Sequence, residues 1–361
     1  MIEQKLQAAM LSEYTRRVGL YQDLAATVAS LLGQILNGIQ LHSVNYRCKS
    51  PDSLSGKLAR AEKDYAQLSD VTDLAAVRVT TYFAEDVDRV AAIVEREFLI
   101  DHVNSVDKRK LLDADRFGYQ SLHYIASVAQ QRSNLVEYAR FKEMRFEIQV
   151  RSILQHAWAE IEHDLGYKSS AGIPKDVRRR FSRLAGLLEL ADDEFSAIRR
   201  ALDTYASSIP KEIREHPQNV GIDKISLRAL LKSENSAVLS LSKAVARIAH
   251  THLTPTSDEL LEASVGHLSF LQISTIAEIE KVAASYIDKV EIFANAFFLE
   301  RRPSTLHEGV GILYLAYMML GERGDRTQIK DFLARFRLPS EISENMASRI
   351  LKASNAINSS R

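Results

Sequence analysis

Cationic and hydroxyl side chains cluster along the sequence where a loop is predicted to lead into a helix. In the segment YRCKSPDSLSGK (46–57), these side chains are Arg47, Lys49, Ser53 and Lys57. Ser50-Pro51 is typical of a helix start, because serine caps the first turn and proline is tolerated at the first helical position. A helix N-terminus attracts anions through its free N–H groups and its partial positive charge. The segment predicts phosphate binding, although a solvated helix start with surface cations has the same pattern.

Two carboxylates lie at or within predicted strands. Asp73 precedes the run LAAVRV, and Glu147 lies inside MRFEIQV. Carboxylates at strand ends of an α/β domain can hold Mg²⁺ against the phosphates of a substrate. The alternatives are a turn or cap role for Asp73 and a solvent-facing position on an edge strand for Glu147.

One face of the strand that contains Glu147 is entirely polar. Glu147, Gln149 and Arg151 alternate along the sequence, so their side chains point to the same face of the strand. Such a face cannot be covered by an apolar core, and it therefore indicates a cleft. The opposite, apolar face consists of Phe146, Ile148 and Val150.

The next predicted helix carries three titratable side chains on one face, because His156, Glu160 and His163 are spaced by three or four residues. The spacing would allow zinc binding, but the HExxH order is absent and no ligand set is complete. In the preceding loop, Tyr119 follows Gly118 and can present its ring as a stacking platform for a base. The alternative for Tyr119 is a ring that packs at a strand start.

Periodicity and residue type place these side chains on a mixed α/β framework. Residues 74–83, 119–129 and 144–152 read as strands, and 84–98 and 152–168 read as helices. We therefore expect an α/β (α+β) domain at 41–170, with a mixed sheet and flanking helices, after an N-terminal helix at 1–40. A helical extension at 171–208 and an all-helical C-terminal domain at 209–361 follow. Two prolines and a glycine predict a break at 207–223.

Composition favours a cytoplasmic globular protein. The 361 residues include 47 Lys+Arg and 47 Asp+Glu, a balance that argues against a chain coated in basic charge for duplex nucleic acid. Cys48 is the single cysteine, so no internal disulfide forms. The apolar run GVGILYLAYMML (309–320) is too short to span a bilayer, and we expect no membrane partner.

Taken together, four segments resemble the RelA/SpoT synthetase family in order and spacing. YRCKSPDSLSGK resembles the family's ATP-binding R-x-K-x-x-x-S element, and DLAAVRV resembles its magnesium strand. GYQSLHY resembles the loop that receives guanine, and EIQVRSILQHAWAEIEHDLGYK resembles E-I-Q-I-R-T with its following helix. The resemblance implies a nucleotidyltransferase-like fold that transfers the β,γ-pyrophosphate of ATP to the ribose 3′-hydroxyl of GDP or GTP, with Mg²⁺ as cofactor.

The resemblance also implies roles for individual residues. Glu147 would act as general base, and it would bind Mg²⁺ together with Asp73. His156, Glu160, His163 and Lys168 would support the site. The implied ATP-binding residues are Arg47 and Arg78 at the adenine, with Lys49, Ser53 and Lys57 at the phosphates. The implied acceptor-binding residues are Tyr119 at the guanine, His123 at the phosphates, Gln149 and Arg151 in the cleft, and Arg116.

One departure from the family pattern concerns the acceptor loop. Most of these synthetases carry a lysine four residues before the stacking tyrosine, whereas this chain has Asp115 there, with Arg116 as the nearest cation. An acid at this position would repel acceptor phosphates unless Arg116 compensates. The acceptor therefore stays open between GDP or GTP, an adenosine nucleotide and the 3′-CCA end of tRNA.

Three functions fit these observations. The leading one is an alarmone synthetase that makes (p)ppGpp. The second is a toxic synthetase held in check by its C-terminal domain, with tRNA-binding cations at 108–110, 178–180 and 199–200. The third is a non-catalytic nucleotide sensor with a protein-binding or effector-binding C-terminal domain, against which the retention of Asp73 and Glu147 argues.

Overall fold

The computed structural model of the protein describes residues 2–59, 65–111, 121–167, 174–298, 302–335 and 340–359. Internal contacts divide the chain into an N-terminal unit, residues 1–200, and a C-terminal unit, residues 201–361. The division of the chain into four parts at 40, 170 and 208 stays a prediction.

The N-terminal unit combines a mixed sheet with helices. Its strands are β1 (Leu41–Cys48), β2 (Ala75–Thr81), β3 (Phe98–Ile100), β4 (Val106–Asp107), β5 (Leu122–Val128) and β6 (Phe146–Ser152). Its helices are α1 (Ile2–Ile35), α2 (Pro51–Leu58), α3 (Glu85–Glu97), the single turns α4 (Gln130–Ser133) and α5 (Val136–Ala139), α6 (Ile153–Tyr167) and the start of α7 (Lys175–Glu215).

The described strands form one sheet in the order β1-β2-β6-β5-β3, with β4 paired to β5. β6 runs parallel to β2 and antiparallel to β5, so it is an interior strand. The alternative that Glu147 lies on an edge strand is therefore wrong. The mixed sheet with flanking helices confirms the fold class expected for this part of the chain.

The two faces of the sheet differ in chemistry. Val77 and Val79 of β2 pair with Ile148 and Val150 of β6, and this face belongs to the apolar core that α1 and α3 cover. Burying each such side chain contributes about 1.5–3 kcal/mol to folding. On the opposite face, Ala76, Arg78 and Thr80 lie beside Glu147, Gln149 and Arg151. This face is the polar cleft face that the alternation along β6 predicted.

The helix start at Ser50-Pro51 is confirmed. Pro51 is the first residue of α2, and the Ser50 hydroxyl accepts a hydrogen bond from the backbone N–H of Ser53 at 3.2 Å. Asp52 lies in the first turn, where a carboxylate interacts favourably with the positive end of the helix dipole.

The C-terminal unit is built from helices around an aromatic and aliphatic core. After the end of α7, its helices are α8 (Lys224–Leu231), α9 (Ala237–Ala249), α10 (Asp258–Phe270), α11 (Ile276–Ala284), α12 (Ile287–Phe297), α13 (Val310–Arg323), α14 (Arg326–Arg335) and α15 (Ser340–Ser359). Two short strands, β7 (Leu253–Thr254) and β8 (Leu306–His307), form a parallel pair that the all-helical prediction did not include. Among the described residues, no helix is long and apolar enough to cross a membrane.

The break predicted at 207–223 begins later than expected. α7 continues through Pro210 to Glu215. Proline removes one N–H from the helix ladder, but the hydroxyls of Ser207 and Ser208 bond to nearby helix carbonyls, and Ile209 is buried in the core of the C-terminal unit. Packing of this turn therefore outweighs the local preference of proline.

Candidate active site

Asp73 lies between two lysines at the start of β2. Its Oδ2 is 2.7 Å from Lys49 Nζ, and its Oδ1 is 2.8 Å from Lys57 Nζ. Burial acts to raise the pKa of Asp73, but the hydrogen bonds from Lys49 and Lys57 outweigh it and hold the pKa below its usual value. Asp73 is therefore a carboxylate at neutral pH, and the three side chains together carry one positive charge.

Helix α1 supports this cluster through a residue that the sequence did not single out. The buried Tyr14 hydroxyl donates a hydrogen bond to the Lys49 carbonyl at 2.5 Å. The Lys49 N–H donates to the Leu74 carbonyl at 3.0 Å, so the backbone of Lys49 is held on both sides. Burial raises the pKa of Tyr14 to about 12, which keeps its hydroxyl protonated. The sequence signal for this role is no more than an aromatic residue on the apolar stripe of α1.

Glu147 is held in a chain of hydrogen bonds on β6. Its Oε1 is 2.7 Å from His123 Nδ1, and its Oε2 accepts from Gln149 Nε2 at 2.9 Å. His123 Nε2 lies 2.5 Å from Ser121 Oγ. Because a carboxylate only accepts, His123 Nδ1 is the donor of its bond to Glu147.

Electrostatics keep Glu147 ionised. Burial acts to raise its pKa, but the bonds from His123 and Gln149 hold it below the usual value, against the smaller opposing effect of Asp73. Asp73 precedes β2, and Ala76 of β2 pairs with Glu147 of β6, so the two carboxylates belong to the same end of neighbouring strands. In the described part of the chain, no group of three or more His, Cys, Asp or Glu is arranged to hold a metal ion.

Glu160 of helix α6 forms ion pairs with two arginines of the polar sheet face. Glu160 Oε1 is 3.0 Å from Arg78 Nη1 and 3.2 Å from Arg151 Nη2. His156 Nδ1 lies 3.6 Å from the same oxygen. Burial, aided by Arg151 and Arg78, lowers the pKa of His156, which is therefore neutral at pH 7. Glu160 thus has a supporting role for these arginines, and the side chain of His163 is outside the described residues.

A cavity of about 90 Å³ lies at the two arginines proposed for adenine. Arg47 and Arg78 line it, together with Gln149 and parts of β1 and β2. The pairing of Arg47 with Ala76 and of Asn45 with Arg78 places the two guanidinium groups on adjacent strands. Planar guanidinium groups stack on aromatic rings, so this cavity suits a planar base. Ser53 is exposed at the start of α2, and its hydroxyl bonds to Ser50 Oγ at 2.8 Å.

The acceptor loop is only partly described. Tyr119 and Arg116 lie outside the described residues, as does Lys168. Of the residues predicted for the acceptor, the structure brings His123, Gln149 and Arg151 to the polar sheet face beside Glu147. In this structure the His123 imidazole is hydrogen-bonded to Glu147.

The candidate RNA-binding cations differ in their partners. Arg109 binds Asp107 and Asp88, while Arg199 and Arg200 bind acids at the start of α3. Residues 178–180 are exposed, and none of their three arginines forms an ion pair within the described ranges. Of the three clusters, 178–180 is therefore the one best placed to bind an external anion.

Residues 46–172 match the family model of the region found in RelA / SpoT proteins. Residues 46–172 therefore form a RelA/SpoT-like region, called the RelA/SpoT region below. The RelA/SpoT region includes residues 46–57, the lysine–aspartate cluster, Glu147 and α6, and it ends before α7.

Two named relatives extend this similarity. The GTP pyrophosphokinase YwaC of Bacillus subtilis (strain 168) is 26% identical over 189 residues, which are 50% of this chain and 86% of that protein. The GTP pyrophosphokinase YjbM of the same organism is 28% identical over 159 residues, 43% of this chain and 71% of that protein. A crystal structure of small alarmone synthetase 1 from Bacillus subtilis bound to its product pppGpp aligns with 53% of this chain and 99% of that chain, at a TM-score of 0.46 and 24% identity.

Proposed function

We propose that the RelA/SpoT region transfers pyrophosphate from ATP to the ribose 3′-hydroxyl of GDP or GTP, making (p)ppGpp. The similarity to two proteins named GTP pyrophosphokinase supports this reaction class. The observation that carries the proposal is the polar sheet face: an ionised Glu147 lies on the same face as the Arg47–Arg78 cavity, and Asp73 of the lysine cluster precedes the neighbouring strand β2. A base, a planar-base cavity and phosphate-binding cations are the parts that such a transfer requires.

The chemistry follows from these positions. Glu147 accepts the proton of the 3′-hydroxyl, and the 3′-oxygen forms a bond to the β-phosphorus of ATP. The bond between this phosphorus and the oxygen that bridges to the α-phosphorus breaks, and AMP leaves. Lys49 and Lys57 bind the negative charge of the transferred phosphates, and Arg47 and Arg78 orient the adenine.

Magnesium is part of the proposal. Mg²⁺ usually takes one or two protein carboxylates together with substrate phosphates and water, and Asp73 and Glu147 are carboxylates at the same end of the neighbouring strands β2 and β6. The ion would neutralise charge on the transferred group. Lys49 and Lys57, which bind Asp73 in this structure, would then be released to the phosphates.

The test offers the purified chain ATP labelled in its terminal phosphates, with GDP, GTP, ATP and bulk tRNA in separate reactions. We expect label on GDP or GTP, and loss of that label in Glu147→Gln, which keeps the shape of the side chain but removes the base. Label that persists in Glu147→Gln would contradict the assignment of the base. Transfer to none of the four acceptors would contradict the proposed activity.

tRNA is the second candidate acceptor. Asp115 stands where an acceptor-binding lysine is expected, and the exposed arginines at 178–180 are available to bind phosphates. Reversal of these three charges should impair transfer to tRNA and leave transfer to a free nucleotide nearly unchanged. Label on tRNA that survives the reversal would count against this candidate. In either case, we propose that the C-terminal unit binds a protein partner or effector that regulates the enzyme.

A further inference from the structure

A cavity of about 90 Å³ lies between α6 and α7, and none of its lining residues belongs to the candidate active site. Its apolar wall includes Trp158, Ala185 and Leu188. Its acidic wall consists of Glu189, Asp192 and Asp193 on α7. An engineered cavity of about 150 Å³ takes up benzene, so this space suits an ammonium group with a few methylene groups.

Asp192 is the buried group of this cavity. Its side chain is 3% exposed, and Oδ2 accepts a hydrogen bond from Ser152 Oγ at 2.6 Å. Oδ1 has no hydrogen-bond partner in the described part of the chain. Burial raises the pKa of Asp192 to about 6, so the group is still largely ionised at neutral pH. A buried carboxylate with an unused oxygen is costly, and a cation in the cavity would relieve this cost.

The lining of the cavity defines the kind of cation. No lysine, arginine or histidine lines it within the described residues, so the three acids are not balanced from inside. A hard metal ion prefers a shell of oxygen ligands, whereas half of this wall is hydrocarbon and an indole ring. The face of a tryptophan attracts ammonium groups, and the apolar wall accepts methylene groups. We propose that this cavity binds the primary ammonium end of a linear aliphatic diamine or polyamine.

Acidic residues in an adjoining groove can bind the second ammonium group of such a ligand. This groove, of about 600 Å³, shares Asp193 with the cavity and continues past Glu194. Arg200 and Arg109 also line the groove, but they are paired with the acids that α3 contributes, Glu85 and Asp88. Asp193 and Glu194 are exposed and form no ion pair within the described part of the chain. A chain of a few methylene groups would join an ammonium at Asp192 to one at this acidic pair.

The chain carries its own probe, because Trp158 is its single tryptophan and lines the cavity. The experiment titrates the full chain with putrescine at neutral pH and constant ionic strength, and follows tryptophan emission and the heat of binding. We expect a saturable emission change with putrescine and none with butanol, which has the same chain length but no charge.

Two variants test the geometry. Asp192→Asn keeps the shape of the side chain and should weaken putrescine binding about 10- to 100-fold, the usual worth of a hydrogen bond to a charged group. Ala185→Leu should block binding by filling the cavity. Asp176→Asn, which removes an exposed charge elsewhere on α7, should bind like the wild type. An absent emission change, an equal response to butanol, or wild-type affinity in Asp192→Asn would each overturn the proposal.

Discussion

The two units of the molecule differ in what they bury. The N-terminal unit buries charged side chains, namely Asp86, Arg151 and Asp192. In the described part of the C-terminal unit, the buried polar side chains are serines, a threonine and His267, and none of them is an acid, a lysine or an arginine. Burying a charge costs free energy unless it is paired, whereas burying aromatic surface stabilises the fold.

This difference indicates that the N-terminal unit carries the functional groups, whereas the core of the C-terminal unit mainly stabilises the fold. Paired charges such as Asp73 with Lys49 hold functional groups in fixed positions at some cost to folding. The C-terminal core contains a cluster of rings, in which Phe297 contacts Phe293, Tyr314 and Tyr317. We therefore expect substitutions of buried charge to change the activity or the pH response of the N-terminal unit. Substitutions in the C-terminal core should change stability.

The largest expected effect is on catalysis. Glu147→Gln should lower the rate of pyrophosphate transfer about 10³-fold or more, because general-base catalysis contributes about 10²–10⁴-fold and the variant also lacks one of the two carboxylates proposed to bind Mg²⁺. The melting temperature should change little. Single-turnover kinetics measures the transfer step, and His123→Asn, which keeps the base but removes its hydrogen-bond partner, should lower the rate less than Glu147→Gln. A transfer rate of Glu147→Gln within tenfold of the wild-type rate would contradict the role of Glu147 as the general base.

The second effect concerns the C-terminal core. Phe293 is fully buried and stacks on Phe297 at 5.7 Å between ring centres. Phe293→Ala should lower the free energy of unfolding of this unit by about 3–5 kcal/mol. Hydrogen–deuterium exchange should show faster exchange in α9, α12 and α13, with the exchange of β2 and β6 as the internal reference. Leu260→Ala, at a position that is 40% exposed, is the control and should change exchange little.

The third prediction concerns a substitution that should raise the stability of the N-terminal unit, whereas Phe293→Ala lowers that of the C-terminal unit. The folded-state pKa of Asp192 is raised from 3.8 to about 6, so the folded state binds more protons than the unfolded state between these values. Stability therefore falls as pH rises through this window, by up to about 3 kcal/mol. Asp192→Asn should be more stable than wild type at neutral pH and should lose this pH dependence. Thermal unfolding followed through Trp158 reports on the N-terminal unit, and a variant less stable than wild type at pH 7 would contradict the unpaired state of this carboxylate.

Local patterns predicted the elements around the site. Alternation along 146–152 placed Glu147, Gln149 and Arg151 on one face, and the pairing of β6 with β2 confirms this arrangement. The Ser50 cap was equally readable, because a cap depends on neighbouring residues alone. The residues that the sequence missed depend on distant parts of the chain. The sequence around Asp192 does not indicate its hydrogen bond with Ser152. The sequence of α7 likewise does not indicate that Ile209 is buried and that the helix therefore continues beyond Pro210.

The smallest predicted effect concerns Tyr14, whose role also arises from a distant contact. Tyr14→Phe removes the hydrogen bond to the Lys49 carbonyl but keeps the buried ring, which tilts against Tyr21 at 5.5 Å. One such bond is worth about 1 kcal/mol, so the KM for ATP should rise about fivefold while kcat changes little. Tyr21→Phe, which keeps the same ring packing and leaves Lys49 untouched, should keep the wild-type KM. Equal KM values in the two variants would mean that the backbone of Lys49 is held by the β1–β2 pairing alone, and that the buried hydroxyl of α1 serves packing rather than the site.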